Sequence, residues 1–249
     1  MKTLARIFVV VVFLAIAQAA WAVPLLTNGG FETGTFAGWT VSDRAGGSGT
    51  WWVASGTVTP FSGFPTAGPA AGTFYAVSDQ GGAGTHALTQ SFGVPIGATS
   101  VVLSFDMFVN DQSFSGGIVN PIGLDHTGSA NQHARVDLLT AAAGPFDTGA
   151  ADVIGNFYLG VDAGALPHPY TNYVFDITGL VTPGGTYQIR FAEVDNQLFF
   201  HQGVDNVSIE ATAAAIPEPG TLALVGAVFL SLVGLRHTRA ASIADGTRR

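Results

Sequence analysis

Residues 100–110 read Ser100-Val101-Val102-Leu103-Ser104-Phe105-Asp106-Met107-Phe108-Val109-Asn110. Val101, Leu103, Phe105, Met107 and Val109 fall on one side of an extended chain, and Val102, Ser104, Asp106 and Phe108 on the other. Successive side chains of a strand point to opposite faces, so this period of two predicts a strand with one face on a core. The same alternation sets Ala134, Val136 and Leu138 against His133, Arg135 and Asp137, and Tyr187, Ile189 and Phe191 against Gln188 and Arg190. Further strands are predicted over 51–54, 74–78, 87–92, 154–159, 170–177 and 203–210. No stretch between 24 and 210 carries the period of an amphipathic helix. Short strands separated by Gly, Pro, Asn and Asp clusters predict an all-β chain, an antiparallel β-sandwich of jelly-roll type. The loops 57–72 and 112–130 are long and rich in Gly and Pro, and loops of that length are commonly functional or mobile.

The two ends read differently. Lys2 and Arg6 form a charged start, 7–17 an apolar run and Ala20-Trp21-Ala22 an A-x-A site. This predicts a signal peptide over 1–22, removed by signal peptidase between Ala22 and Val23. Near the other end Pro217-Glu218-Pro219 precedes an uncharged run over 221–235, and Arg236, Arg239, Arg248 and Arg249 follow. The prolines cannot extend a helix backward, so the tripeptide is expected to be extended and accessible. The uncharged run spans about 22 Å as a helix, short of a hydrocarbon core of roughly 30 Å. Interfacial anchoring and local thinning would cover the difference. The expected organisation is a signal peptide (1–22), a β-sandwich domain (23–211), a linker with the Pro-Glu-Pro motif (212–220), one C-terminal hydrophobic transmembrane helix (221–235) and a basic cytoplasmic tail (236–249).

Charge excludes some partners. Of 9 Lys and Arg, only Arg44, Arg135 and Arg190 lie inside the domain, against 15 of the 17 acids, a formal charge of −12. Phosphate binding needs clustered Lys and Arg, so nucleic acid is not an expected partner. Cation binding and solubility in a matrix are compatible with this balance. Cysteine is absent, which removes thiol chemistry and Cys-based metal sites.

The order tripeptide, apolar run, basic cluster resembles the PEP-CTERM sorting signal of Gram-negative bacteria that make extracellular polysaccharide. The resemblance covers 216–239. It implies transient anchoring in the inner membrane, processing by an exosortase at or near Pro217-Glu218-Pro219, and a destination at the cell surface or in an exopolysaccharide (biofilm) matrix.

A second resemblance brackets the domain. The start reads Leu26-Thr27-Asn28-Gly29-Gly30-Phe31-Glu32-Thr33-Gly34, then Gly38-Trp39, and the last strand reads Gly203-Val204-Asp205-Asn206-Val207-Ser208-Ile209. Together these resemble the opening and closing strands of galactose-binding-like jelly rolls, the fold of many carbohydrate-binding modules. The resemblance implies that first and last strands meet and that Glu32 and Asp205 hold a structural Ca²⁺, with an oxygen of Asn28 as a further ligand. Calcium takes six to eight oxygens, which two carboxylates and turn carbonyls can supply. Against this stands the reading in which Glu32 and Asp205 only hydrogen-bond turn amides.

Sugar binding would need an exposed aromatic with polar neighbours, and Trp51-Trp52 and Phe199-Phe200 offer one. Adjacent strand residues face opposite ways, so one of each pair is expected in the core. Trp39 is expected in the core too. Glu193 and Asp195 share one strand face, and Asp125-His126 sits in a Gly-rich loop, yet neither comes with a catalytic partner in the sequence. His86, His126, His133, His168 and His201 lack zinc-type spacing. The leading expectation is therefore a surface or matrix protein without catalytic activity. A carbohydrate-binding module recognising a glycan is the alternative, and a glycan-active enzyme the second.

Overall fold

The computed structural model describes residues 22–213, which form an all-β, two-sheet antiparallel sandwich. Residues 1–21, the Pro217-Glu218-Pro219 motif, the predicted transmembrane helix and the basic tail lie outside the described residues. Eleven strands follow in order: β1 (Ala22–Pro24), β2 (Thr40–Asp43), β3 (Thr50–Ala54), β4 (Tyr75–Asp79), β5 (Gly84–Gly93), β6 (Ala98–Asp111), β7 (Gln132–Thr140), β8 (Val153–Gly160), β9 (Thr171–Asp176), β10 (Thr186–Asp195) and β11 (Phe200–Ala213). One sheet has the order β3-β4-β11-β6-β9, with β1 also on β11, and the other β2-β5-β10-β7-β8. From β4 to β7 and from β8 to β11 every connection changes sheet, the wrapped path of a jelly roll. Among the described residues the only helix is a single 3-10 turn, Thr178–Leu180.

The core lies where the alternation of β6 places it. Val101, Leu103, Phe105, Met107 and Val109 are buried between the sheets, against Leu88, Val136, Leu138, Ile189 and Phe191. The Phe105 and Phe191 rings meet edge-on across the sandwich, 5.2 Å apart, a favoured aromatic geometry. Trp39 joins this core, as expected.

One expectation is corrected. The strands β4, β7 and β10 do not have a wet outer face, because most of their residues are buried on both sides. Tyr75, Val77 and Phe108 pack under partly buried Ala67 and Tyr170 on one outer face. On the other, Ala87, Ala192 and Val194 pack under Leu124 and Phe146. The long loops therefore act as covers that complete the burial of both sheets.

The register places the ends of the domain. Ala22 pairs with Thr212, Val23 with Ala211 and Pro24 with Glu210. A chain beginning at Val23 keeps all but the first of these pairings, and the Leu25 amide still donates to the Ile209 carbonyl at 2.7 Å. Both termini of the domain thus sit at one end. The 80–83, 112–131, 161–170 and 196–199 connections gather at the other, roughly 40 Å away along β11 at a rise of about 3.4 Å per residue.

Candidate functional site

The opening and closing motifs pack on each other. The Val207 amide donates to the Gly29 carbonyl at 3.0 Å, and a Cβ on Gly29 would run into the Val207 carbonyl oxygen. Glycine at 29 is thus a close-approach residue for the last strand. Asn28 spends its side chain inside its own turn: Nδ2 donates to the Thr35 and Ala37 carbonyls and Oδ1 accepts from the Thr33 amide. Its carbonyl accepts from the Phe31 amide and Trp39 Nε1. The turn thus engages both oxygens of Asn28, with Oδ1 accepting only the one bond from Thr33.

Glu32 and Asp205 lie against the same loop, 70–74. The nearness is through the chain around Gly30: the point where its Cβ would lie is 3.8 Å from Asp205 Oδ1, from Asn206 Oδ1 and from the Glu32 methylene Cγ, while the Glu32 carboxylate itself is turned to the Thr73 and Phe74 amides. Asp106, which the sequence did not single out, stands directly opposite Asp205 in the β6–β11 register, just before a bulge. Its carboxylate accepts from Asn172 Nδ2 and Asn206 Nδ2, both at 2.8 Å. Like charges opposite each other in a sheet destabilise it. Burial, with the Asp106 charge as a smaller cause, raises the Asp205 carboxyl above its usual range. A cation would relieve both costs.

The same two carboxylates also grip a loop. Asp205 Oδ2 accepts from the Ala70 and Ala71 amides at 2.9 and 3.1 Å, and Glu32 from the Thr73 and Phe74 amides at 2.9 and 3.0 Å. The hydrogen-bonding reading is thus satisfied, and it leaves part of each carboxylate's acceptor capacity unused. Among the described residues no three acidic or imidazole side chains are grouped to hold an ion by themselves. The oxygens at Gly30 fit a hard cation only with amide or carbonyl oxygens completing the set.

Asp79 fixes the other end of that loop by accepting from the Phe61 and Ser62 amides and the Ser62 hydroxyl. Burial alone would raise this carboxyl, but hydrogen bonds from His201, Ser62 and Phe61 bring it down to about 2. Ser62, His201 and Asp79 have the composition of a hydrolase triad without its geometry. His201 Nε2 faces both Ser62 Oγ at 3.1 Å and Asp79 Oδ1 at 3.2 Å, while Nδ1 is buried without a partner. A triad base needs its two nitrogens to serve the two partners separately.

Between the sheets, near the loop end, lies a buried polar layer. Glu193 is fully buried and neither carboxyl oxygen has a hydrogen-bond partner. His86 Nε2 is 3.9 Å from its Oε1, and the two residues are cross-strand neighbours. His86 is otherwise held by Asp43 Oδ1 at 2.7 Å and the Ser48 carbonyl at 2.9 Å. Asp195, the next inward residue of β10, accepts from Gln80 Nε2 at 2.9 Å and from the Gln197 amide at 2.7 Å. Burial, helped by the charge of Asp195, pushes Glu193 well above its usual range, and burial also raises Asp195.

A group whose folded pKa is raised contributes stability below its unfolded pKa and loses it as pH rises through the folded value. Glu193→Met removes two orphaned oxygens at similar volume. The variant is expected to be about 1–3 kcal/mol more stable at neutral pH, with a smaller advantage near the unfolded carboxyl pKa of about 4.3. Urea unfolding at both pH values measures this, and an advantage that does not grow with pH contradicts the burial account.

Trp51 is 3% exposed and packs in the core, so it is not available for glycan contact. Trp52, 37% exposed, is the outward member of the pair. Phe200 is core and Phe199 is partly exposed. Phe199 lines a cavity of about 180 Å³ at the loop end with Asn196, Gln197, Leu198 and the Gly81–Ala83 turn. Phe61, 62% exposed, sits where a Cβ on Gly81 would touch its ring, and Phe64 packs 4.8 Å from Phe199. The cavity therefore has one aromatic side, the Phe199 ring, next to Asn196 and Gln197, whose side-chain amides bond to each other and to backbone groups. A second, open cleft of about 230 Å³ lies between the 111–116 and 161–168 segments.

No family model and no curated protein matches the chain. Among solved structures it is similar to TmCBM61 in complex with beta-1,4-galactotriose (16% identity, 75% of this chain and 97% of that one, TM-score 0.45). The CBM22-1 xylan-binding domain of Paenibacillus barcinonensis Xyn10C (15% identity, 80% and 100%, TM-score 0.42) is a further match. So is the K3 cleaved adhesin domain of Lys-gingipain from Porphyromonas gingivalis w83 (16% identity, 76% and 99%, TM-score 0.44).

Proposed function

We propose that the domain is a non-catalytic carbohydrate-binding module, carried to the cell surface by its terminal signals, and that the cavity at Phe199 receives a glycan. The observation that carries this reading is the Phe199 ring, backed by Phe64, beside Asn196, Gln197 and the Gly81–Ala83 turn in one open cavity at the loop end. A sugar ring offers apolar C–H faces and a rim of hydroxyls, and binding sites for such ligands combine apolar walls with a few placed polar groups. The absence of catalysis is part of the proposal. Glycoside hydrolysis needs two carboxylates free to flank the substrate, whereas Glu193 and Asp195 are buried, 0% and 1% exposed, and Asp111 and Asp162, which line the second cleft, have every oxygen accepting from backbone amides or hydroxyls.

Export, signal-peptide removal before Val23 and exosortase processing at Pro217-Glu218-Pro219 complete the proposal, supported by the residues of the two terminal segments. Protein released into the medium is the material for the test. Its mass should correspond to a start at Val23 and an end near Pro217–Pro219. On affinity gels containing the producing cell's exopolysaccharide it should be retarded, and Phe199→Ala should weaken retention by about tenfold or more, the equivalent of about 1.4 kcal/mol. Equal mobility with and without polysaccharide would remove the glycan reading.

A further inference from the structure

The second cleft is chemically distinct from the first. It is lined by Asp111, Phe114, Asp162, Gly164, Leu166 and His168, among others. We propose that it binds a protonated amine on a small polar scaffold, such as an amino sugar, with the ammonium between the acids and the Phe114 ring.

The first ground is His168. It is 6% exposed, yet it lines the cleft. Its backbone amide donates to Asn110 Oδ1 at 2.9 Å, while its ring makes no hydrogen bond among the described residues. Its ring nitrogens are not among the sealed, unpartnered atoms of the described residues, so they open on the cleft, where a ligand hydroxyl can take the place of water. The ring can offer one donor and one acceptor to a hydroxyl.

Charge supplies the second ground. Asp162 accepts from the Val109 amide at 2.7 Å and the Tyr158 hydroxyl at 2.8 Å. Asp111 accepts from the Ser113 amide and hydroxyl and from the Gly116 amide. All of these donors are neutral, and neither acid has an ion-pair partner among the described residues. The domain has no lysine, and Arg135 and Arg190 are committed to Asp137 and Arg44 to Asp125. Two carboxylates thus face one cleft with no cation of their own.

The remaining features narrow the cation. Asp111, Asp162 and His168 are not grouped to hold a metal ion, so an ammonium carried on a scaffold whose hydroxyls reach the remaining groups fits better than a bare cation that needs them all at one point. Phe114 is 78% exposed and sits at a φ of 57°, a conformation that is uncommon for a bulky residue. Its exposed face can take an ammonium through the ring quadrupole or a sugar C–H face. The cleft holds a molecule smaller than drug-sized ligands, which occupy about 300–1,000 Å³.

The test titrates the full chain in detergent with D-glucosamine, N-acetylglucosamine and glucose, at a pH where the amine is protonated. Ligand-observed NMR and calorimetry read the binding. Glucosamine should bind about tenfold or more tightly than the other two, and added salt should weaken it. Phe114→Ala, which removes an exposed ring, should cost about tenfold in glucosamine affinity with an unchanged melting temperature. Phe199→Ala should leave it unaltered. Three sugars binding alike, glucosamine binding that survives Phe114→Ala, or no binding at millimolar ligand would each overturn the proposal.

Discussion

Replacing Asp137 with alanine is expected to lower stability by about 3–5 kcal/mol, because it strips a buried charge of its partner. Asp137 is fully buried on the outward side of β7. Arg135, two residues away on the same strand, donates to it from Nε at 2.6 Å and Nη2 at 2.8 Å. Arg190 reaches it from the adjacent register position on β10, at 3.1 Å from Nε and 2.6 Å from Nη2. Its Nη1 also donates to the Pro145 and Asp147 carbonyls, tying down the β7–β8 loop. Without Asp137 the fully buried Arg190 guanidinium keeps only carbonyl acceptors. At about 2–4 °C per kcal/mol for a domain of this size, the melting temperature should fall by roughly 6–20 °C. The triple replacement Arg135→Met, Asp137→Leu, Arg190→Met should recover most of the loss, since apolar replacement of a buried ionic cluster is often neutral or stabilising. A single variant as stable as the parent would show that the cluster carries no net energy. Burial would raise the Asp137 carboxyl, but the two arginines and Asn156 hold it below the usual range. Its stabilising contribution is therefore present above the unfolded carboxyl pKa and lost as pH falls through the folded one.

Calcium is the second large effect. If the Asp205 and Asn206 oxygens near Gly30, with the Glu32 carboxylate swung in from the Thr73 and Phe74 amides, take a Ca²⁺ in the folded state alone, a hundredfold excess over Kd adds about 2.7 kcal/mol. That corresponds to a rise in melting temperature of roughly 5–11 °C. Chelator should remove the gain, and Mg²⁺ should restore little, because it demands stricter octahedral geometry and gives up water reluctantly. Glu32→Ala should abolish the response while also releasing the Thr73 and Phe74 amides. Asp106→Asn tests the electrostatics separately: it relieves the cross-strand repulsion with Asp205, so it should raise the melting temperature of the stripped protein and shrink the calcium response. Protein first stripped of metal whose melting is indifferent to calcium would leave these carboxylates as loop anchors only.

The sheets were legible because their inward residues repeat strictly. The alternation through Val101, Leu103, Phe105, Met107 and Val109 names the buried face of β6 without any tertiary information. β1 and β2 escaped notice because three or four residues, one of them Pro24, are too few to show a period. Burial of both faces was not legible either. It depends on loops folding back over Tyr75, Val77, Ala192 and Val194, which no local pattern reports. Of the tryptophans, the period of two says that Trp51 and Trp52 face opposite ways, but only the pairing of β3 with β4 says which faces in. Glu32 and Asp205 could be joined through the motif pair, whereas Asp106 needed the β6–β11 register. The Asp137 cluster is a register effect as well. His168 and Phe114 carry no sequence signal, since their meaning comes from two loops converging.

β11 is flanked by β6 along almost its whole length and by β4 and β1 on its other edge. Its last residue is also where the chain continues toward the tail. A domain tethered through that tail and pulled by a polymer seated at the far loops would feel tension along the axis of this strand. The ladder bonds to β6, paired from Phe200–Asp111 to Ala213–Ala98, would then be loaded together in shear. Force applied between the two termini would act differently, opening the short β1 ladder one bond at a time. The fold is thus mechanically strong to a pull along β11 from the tail side and weaker to one applied between the two termini.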